Sequence, residues 1–180
     1  MGGNSLKKIL LLVLSLLSIS LFGFINGESQ SQLAKVDQLK GEQQQTDEIA
    51  EGIVTQLVKD FGNNLQKVSL LAQKELVKKS MEEHYRDFVS STILAKWIND
   101  PLNAPGRLTS SPWPDRIEIL SVKKLAEDAY EVKGEIIEIS STEQLKDDIA
   151  AKRPITLLVK NINNRWLITD VTLGANVETN

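Results

Sequence analysis

The chain contains no cysteine and a single histidine among its 180 residues. The absence of cysteine excludes disulfides and every lipid anchor that is attached through a thiol, so an exported domain of this chain must be stable without cross-links. One histidine without a tight carboxylate cluster leaves no ligand set for zinc or iron. We therefore expect no metal site and no cofactor.

An excess of charge of one sign is also lacking. The formal net charge is −3, and acidic and basic residues alternate along the chain without forming a patch or tail. This balance gives no reason to expect nucleic acid as a partner. A glycine-rich phosphate loop is absent as well.

The most informative segment that is present lies near the N-terminus, where Lys7 and Lys8 precede an uncharged apolar run over 9–25. This pattern is typical of a secretory signal and of a short membrane anchor. As a helix it spans about 25 Å, slightly less than the ~30 Å hydrocarbon core. Cleavage after Ser20 or Gly27 lacks the usual small-residue pattern. We favour a single-pass anchor with residue 27 onward on the extracytoplasmic face of the cell membrane, and secretion after cleavage is the alternative.

The next segment, 26–45, is polar and rich in glutamine and serine, which predicts a flexible or loosely helical tether. Thr46 is a plausible N-cap for a helix that ends at Gly62. Its apolar residues recur every four positions, at Ile49, Ile53, Leu57 and Phe61, with Val54 and Val58 beside them. This helix either packs on its own domain or pairs with another copy as a stalk. The first is favoured, because the pattern covers barely two heptads.

Further helices are predicted over 65–79, from a capping box at Ser80 and Glu83, and from Ser91 to just before Pro101. The middle helix should carry Met81, Tyr85, Phe88 and Val89 inward. After them, residues 100–115 form a long loop with four of the five prolines.

Beyond this loop the apolar period changes from 3.6 to 2, which predicts strands over 116–125, 129–140, 155–161 and 165–173. Tight turns are expected at 127–128 and 163–164. In the second strand, Ile137 and Ile139 lie on the face opposite Tyr130, Val132 and Ile136. Either a β-bulge near Ile136 or burial of both faces explains this break.

Helices followed by an antiparallel sheet indicate an α+β fold. With the closing strand Asn164-Arg165-Trp166-Leu167-Ile168, this order resembles the nuclear-transport-factor-2-like superfamily over about 65–173. The resemblance implies a cystatin-like roll, in which helices pack on a bent four-stranded antiparallel sheet, here preceded by a signal or anchor helix. The expected organisation is a leader at 1–26, a tether and helix at 27–62, and the roll domain at 63–180. The superfamily includes isomerases, dehydratases, ligand carriers and assembly subunits of bacterial secretion and conjugation machines.

Some enzymes with this roll use a His–Asp or Tyr–Asp pair as a general base and its orienting group, which draws attention to His84, Tyr85 and Asp87. However, the inward stripe of Met81, Tyr85 and Phe88 places His84 and Asp87 at its edge or in water. We predict no catalytic residues and a protein that is not an enzyme.

The most distinctive local sequence is Ser110-Ser111-Pro112-Trp113-Pro114-Asp115-Arg116. Two prolines limit the entropy that is lost when Trp113 becomes ordered, and tryptophan and arginine dominate binding hot spots. Trp113, Asp115 and Arg116 are therefore the candidate binding residues. In the structural alternative, Trp113 covers an open end of the sheet, Asp115 caps a turn and Arg116 pairs with a carboxylate.

Together these features predict a non-catalytic binding or assembly module of a bacterial membrane, with an unidentified protein as its partner. The alternative is a small exported enzyme or ligand carrier that uses a pocket between helix and sheet. Convergent polar groups with shifted pKa values would favour the alternative, and a filled interior would favour the binding module.

Overall fold

The computed structural model describes residues 35, 38–140 and 149–178. The predicted leader at 1–26 and the first part of the tether lie outside these residues. Contacts divide the chain into two compact units, Met1–Glu48 and Ile49–Asn180. Within the described residues, no helix has the length and apolar content needed to cross a membrane.

The first helix, α1, covers 38–62 and therefore begins well before Thr46. The prediction that Thr46 is its N-cap is wrong, since the Thr46 hydroxyl donates to the Glu42 carbonyl oxygen at 2.9 Å inside the helix. Hydrogen bonds between glutamine amides and carboxylates four residues later stabilise this exposed part. They join Gln38 to Glu42 at 3.1 Å, Gln43 to Asp47 at 3.0 Å and Gln44 to Glu48 at 3.3 Å.

In the second unit, α1 buries Val54, Val58 and Phe61 completely, whereas Ile49 and Ile53 remain 59% and 48% exposed. Of the predicted stripe, Phe61 is buried and Leu57 packs partly buried against the core, so the stripe is wrong only at Ile49 and Ile53. The buried residues belong to the main hydrophobic core. This part of α1 therefore packs on its own domain, as favoured from the sequence.

The predicted helix over 65–79 is correct for residues 74–79 and wrong for residues 65–73. A short 3₁₀ turn covers Leu65–Lys67, and α2 begins only at Lys74 and runs to His84. Between them the backbone pairs with the proline-rich loop, because Leu70 N donates to Arg107 O at 2.9 Å and Arg107 N to Val68 O at 2.8 Å. The Ser80 capping box is also wrong, because Ser80 lies inside α2, and its hydroxyl donates to Lys67 O at 3.0 Å.

The third helix, α3, covers Ser91–Asn99 and buries Ile93, Leu94 and Trp97, as predicted. Ser90 is its N-cap, with the Ile93 N–H donating to the Ser90 hydroxyl at 3.4 Å. The segment before α3 is fixed to the sheet by two backbone hydrogen bonds of 2.9 Å, from Ser90 N to Ile168 O and from Ile168 N to Phe88 O.

The sheet is antiparallel throughout, and its main strands are ordered β1-β2-β3-β4. The short β5 pairs with the beginning of β3. Both predicted turns are confirmed, and Asn163 and Asn164 have φ values of 51° and 63°, which suit a tight hairpin turn. The strands are β1 Trp113–Ala126, β2 Ala129–Ile139, β3 Ala151–Ile162, β4 Arg165–Leu173 and β5 Val177–Glu178.

One face of the sheet, the core face, packs against the helices. Ile137 and Ile139 lie on the opposite face, which we call the outer face, and are nevertheless 0% and 8% exposed. The register between β2 and β3 is regular past Ile136, so the predicted bulge is not in β2. Burial of both faces explains the broken alternation, and the irregularity lies across from Ile137 in β1.

Aromatic rings fill the space between the helices and the sheet. The Phe61 ring lies 5.1 Å from Tyr85 and 6.2 Å from Trp97, and Tyr85 and Trp97 are 5.9 Å apart, measured between ring centroids. Gly62 lets the end of α1 approach β1, because a Cβ there would lie 2.7 Å from the Ile117 backbone nitrogen.

Candidate functional site

A bulge brings the candidate residues Trp113 and Arg116 onto one face of the sheet. Trp113 pairs with Ile139 and Arg116 with Ile137, and the register shifts between Pro114 and Arg116. Residues that pair across strands share a face, and residues two apart in β2 do so as well. Trp113 and Arg116 therefore both lie on the outer face, although residues three apart in a regular strand would lie on opposite faces. Asp115 is the additional residue that causes this.

Two carboxylates hold the Arg116 guanidinium. Its Nη1 donates to Asp115 Oδ2 at 2.8 Å, and its Nη2 and Nε donate to Glu118 Oε1 at 2.6 and 3.2 Å. The hydrogen bond to Asp115 and then that to Glu118 raise the pKa of Arg116. Because all three side chains are partly exposed, these pairs orient the guanidinium more than they stabilise the fold. Arg116 thus pairs as the structural alternative predicted, whereas Asp115 lies in a strand and pairs with Arg116.

Further residues of the outer face were not predicted as site residues. Glu118 pairs across the strands with Glu135, and Lys152 pairs with Ile137. Lys152 Nζ donates to Glu135 Oε2 at 3.0 Å, so each carboxylate has its own cation. The buried Ile137 and Ile139 therefore have a charged border and Trp113 beside them. The sequence signal for this surface was the broken alternation at Ile137 and Ile139.

The Tyr85 hydroxyl is a polar group of the interior and donates to the Pro105 carbonyl oxygen at 2.7 Å. Complete burial raises the pKa of Tyr85. Among the described residues, every buried side-chain nitrogen and oxygen has a hydrogen-bond partner, and no three acidic or histidine side chains are grouped to hold a metal. His84 is the partly exposed last residue of α2, and Asp87 is exposed.

Glu138 is a carboxylate on the core face that the sequence analysis missed. It lies near the end of β2, where it pairs with Pro114 and Ala151. Partial burial raises the pKa of Glu138, and the positive charge of Arg153 offsets part of this shift. Nothing in the strand's apolar pattern distinguishes Glu138 from an exposed position.

Among the open grooves at the surface of the second unit, two are lined entirely by described residues. One, of about 510 Å³, runs beside β1 and is lined by Lys59 of α1, by Asn63 directly after α1 and by Arg116–Leu120. The other, of about 450 Å³, lies between α3 and β4, with Ile93, Trp97 and Val171 among its apolar residues. Its polar residues are Lys96, Asn99, Asp100, Asn103 and Asp170.

No protein-family model and no curated protein matches this chain. Among solved structures, it is similar to a crystal structure of an NTF-2-like protein of unknown function from Shewanella oneidensis MR-1. The sequence identity is 18% and the TM-score 0.39, over 69% of this chain and 98% of that one. A protein of unknown function from Bacteroides thetaiotaomicron VPI-5482 is similar at 16% identity and a TM-score of 0.36, over 73% and 95% of the two chains. The description of the first neighbour names the same NTF-2-like class that the sequence resembles, and neither description supplies a function.

Proposed function

We propose that this protein is a non-catalytic binding or assembly module, held at the extracytoplasmic face of a membrane by residues 9–25. Its partner is a protein, and it binds at the outer face around Trp113, Asp115 and Arg116. The observation that carries the proposal is the bulge at Asp115, which places Trp113 and the guanidinium of Arg116 on the same face.

The held geometry of Arg116 supports a binding role. A guanidinium whose side chain is already fixed by Asp115 and Glu118 loses little further entropy when a partner contacts it. Trp113 lies at the start of β1, where strand pairing with Ile139 fixes its backbone. An aromatic residue and an arginine that are both pre-ordered are the residue types that dominate binding hot spots.

The filled interior also favours binding over catalysis. The rings of Phe61, Tyr85 and Trp97 occupy the space between helices and sheet in which a ligand pocket would lie. The Tyr85 hydroxyl is already used in a hydrogen bond to Pro105. Convergent polar groups around a cavity are what a small-molecule site requires.

The test is recovery of the partner from the protein's own membranes, with full-length tagged wild type and Trp113→Ala after cross-linking in place. Loss of a hot-spot tryptophan costs about 2 kcal/mol or more, so we expect the affinity for the partner to fall about 30-fold. Leu102→Ala is the control, because Leu102 is a strongly exposed apolar residue in the 3₁₀ turn Pro101–Asn103.

A partner that Leu102→Ala retains and Trp113→Ala loses would support the proposal, provided that both variants unfold cooperatively. Equal recovery with all three proteins would contradict it. A loss of several kcal/mol in the free energy of unfolding of Trp113→Ala would instead identify Trp113 as a core residue. Intact-mass measurement of the same sample would show whether residues 1–20 or 1–27 have been removed.

The groove between α3 and β4 favours a second candidate function, a small ligand-binding protein. Its apolar residues, Trp97 and Val171 among them, are bordered by Lys96 and Asp170, a combination that can orient a small polar molecule. Fragment screening by NMR would test this. Binding that shifts the Trp97 indole signal and is lost in Lys96→Ala would favour the ligand carrier.

A further inference from the structure

One edge of β1 has no strand of the described residues beside it, and the end of α1 approaches β1 at Ile117. In the sheet order β1-β2-β3-β4, β1 lies at one end, with β2 on its other side. Such an edge presents unpaired backbone N–H and C=O groups that can accept a further strand. The second half of β1 is largely exposed, and Leu120 and Leu125 are 67% and 50% exposed.

Register shifts divide β1 into two regular stretches, Arg116–Ile119 and Ser121–Lys124. The additional residues are Asp115, Leu120 and Leu125. In each regular stretch the first and third residues lie on the outer face and the second and fourth on the core face, as their partners in β2 show.

We propose that β1 pairs antiparallel with β1 of a second copy of this chain, around a two-fold axis at Ser121. When Leu120 is left out of the ladder as the bulged residue, Ser121 lies opposite Ser121 of the second copy. Val122 then lies opposite Ile119, Lys123 opposite Glu118, and Lys124 opposite Ile117. Each pair joins residues of the same face, so the two core faces continue on one side of the joined sheet.

Charge selects this register. Lys123 is exposed and lies across from Glu131 in β2, but the ion pair of Glu131 is with Lys133, at 3.6 Å. The two contacts of Glu118 with Arg116 both use Oε1, so Oε2 is available to Lys123 of the second copy. Two-fold symmetry forms this pair twice, and it also forms twice the apolar pair between Ile119 and Val122, both of which already border the core.

Other registers lose these contacts. A shift by one residue places core-face residues opposite outer-face residues. A shift by two residues in one direction places Lys123 opposite Arg116, and like charges directly opposite each other are destabilising. The same shift in the other direction places Ile119 opposite Lys124 and removes both ion pairs.

The groove of about 510 Å³ beside Arg116–Leu120 lies where Ser121–Lys124 of the second copy would enter. Lys59 lines this groove and has the same charge as the incoming Lys123 and Lys124. It therefore weakens the pairing, and Lys59→Glu is expected to strengthen the dimer about tenfold.

The first test is a single cysteine in a chain that has none of its own. In the proposed dimer the two copies of Ser121→Cys have Cα atoms about 4.5–5.5 Å apart, within the range of a disulfide. Mild oxidation of the full-length variant in membranes should give a species of twice 20.0 kDa. Leu125→Cys is the control, since its two copies would be more than about 20 Å apart. Absence of the dimer, equal yields from both variants, or cross-linking of Ser121→Cys to another protein would overturn the proposal.

The second test reverses charges. Glu118→Lys and Lys123→Glu should each weaken the dimer about tenfold, and the double variant should restore it. Positions 118 and 123 of one chain are separated by about 13 Å along the strand, so the restored pair must join two chains. Thermal unfolding checks that each variant is folded. A folded double variant that dimerises no better than the single variants would refute this register. The inference does not rest on the proposed function, since cross-linking at position 121 can persist when Trp113→Ala loses the partner.

Discussion

Replacing Tyr85 by phenylalanine isolates the hydrogen bond that holds the proline-rich loop to the core. The Tyr85 side chain is fully buried, and its hydroxyl donates to the Pro105 carbonyl oxygen at 2.7 Å. The ring contacts with Phe61 and Trp97 at 5.1 and 5.9 Å remain in the variant. The change therefore removes one donor and leaves a buried carbonyl oxygen without it. We expect the free energy of unfolding to fall by about 1–3 kcal/mol.

Urea unfolding at neutral pH measures this loss, with an unchanged dependence on urea concentration as the sign that the unfolded state is the same. The midpoint of thermal unfolding should fall by a few degrees, about 2–8 °C for each kcal/mol. A variant as stable as the wild type would show that the hydrogen bond only offsets the cost of burying the hydroxyl.

The pH dependence gives a second, independent result for Tyr85→Phe. Burial raises the pKa of Tyr85 in the folded chain, so the unfolded chain ionises first as the pH rises through about 10. Above this value the contribution of Tyr85 to stability falls by about 1.36 kcal/mol per pH unit, and the phenylalanine variant lacks this loss. The difference in the free energy of unfolding between the wild type and Tyr85→Phe should therefore become smaller between about pH 9 and 11. A constant difference would refute the reasoning.

Two further predictions concern single positions. Burial raises the pKa of Glu138 in the folded chain, so the ionised carboxylate lowers the stability of the fold above that pKa. This loss disappears as the pH falls below the ordinary pKa of a glutamate. Urea unfolding should show Glu138→Gln to be more stable than the wild type at neutral pH and equal to it in acid, and equality at all pH values would contradict this. Gly62→Ala should lower the midpoint of thermal unfolding, because the added Cβ would meet the Ile117 backbone. Gly52→Ala lies in the same helix and has nothing within 4 Å of the added Cβ, so its free energy of unfolding should rise by up to about 1 kcal/mol. A gain in both would show that the contact with Ile117 relaxes without cost.

Local sequence patterns correctly predicted the elements that depend only on neighbouring residues. The period of 2, the two turns and the Ser91 helix are properties of neighbouring residues, and all were predicted. The prediction that the helix begins at residue 65 failed because Val68 and Leu70 pair with Arg107 of a distant loop. This pairing replaces helical hydrogen bonds. The start of α1 was predicted too late for another reason. The segment 26–45 was predicted to be a flexible or loosely helical tether, although glutamines four residues before carboxylates are themselves a helix signal.

For the candidate site, the residue types could be identified from the sequence, but their placement could not. Trp113 and Arg116 were identified from their residue types and the flanking prolines. Their common face depends on the register of β1 against β2, which a period-2 pattern predicts incorrectly. The contribution of Glu118, Glu135 and Lys152 depends on the same register. Nothing in the sequence groups these three residues before the strands are aligned.

The irregularities of β1 have consequences on both of its sides. Toward β2, the extra residue Asp115 brings Trp113 and Arg116 together. Toward the other edge, bulges normally protect an edge strand, because a regular strand cannot follow the interrupted ladder. A second β1 carries the same interruption at Leu120, so around a two-fold axis at Ser121 the two interruptions lie symmetrically on either side and the regular stretches coincide. An edge of this kind disfavours pairing with a regular strand and accepts a strand that is interrupted at the matching position. The selectivity of this edge therefore depends on register as much as on charge.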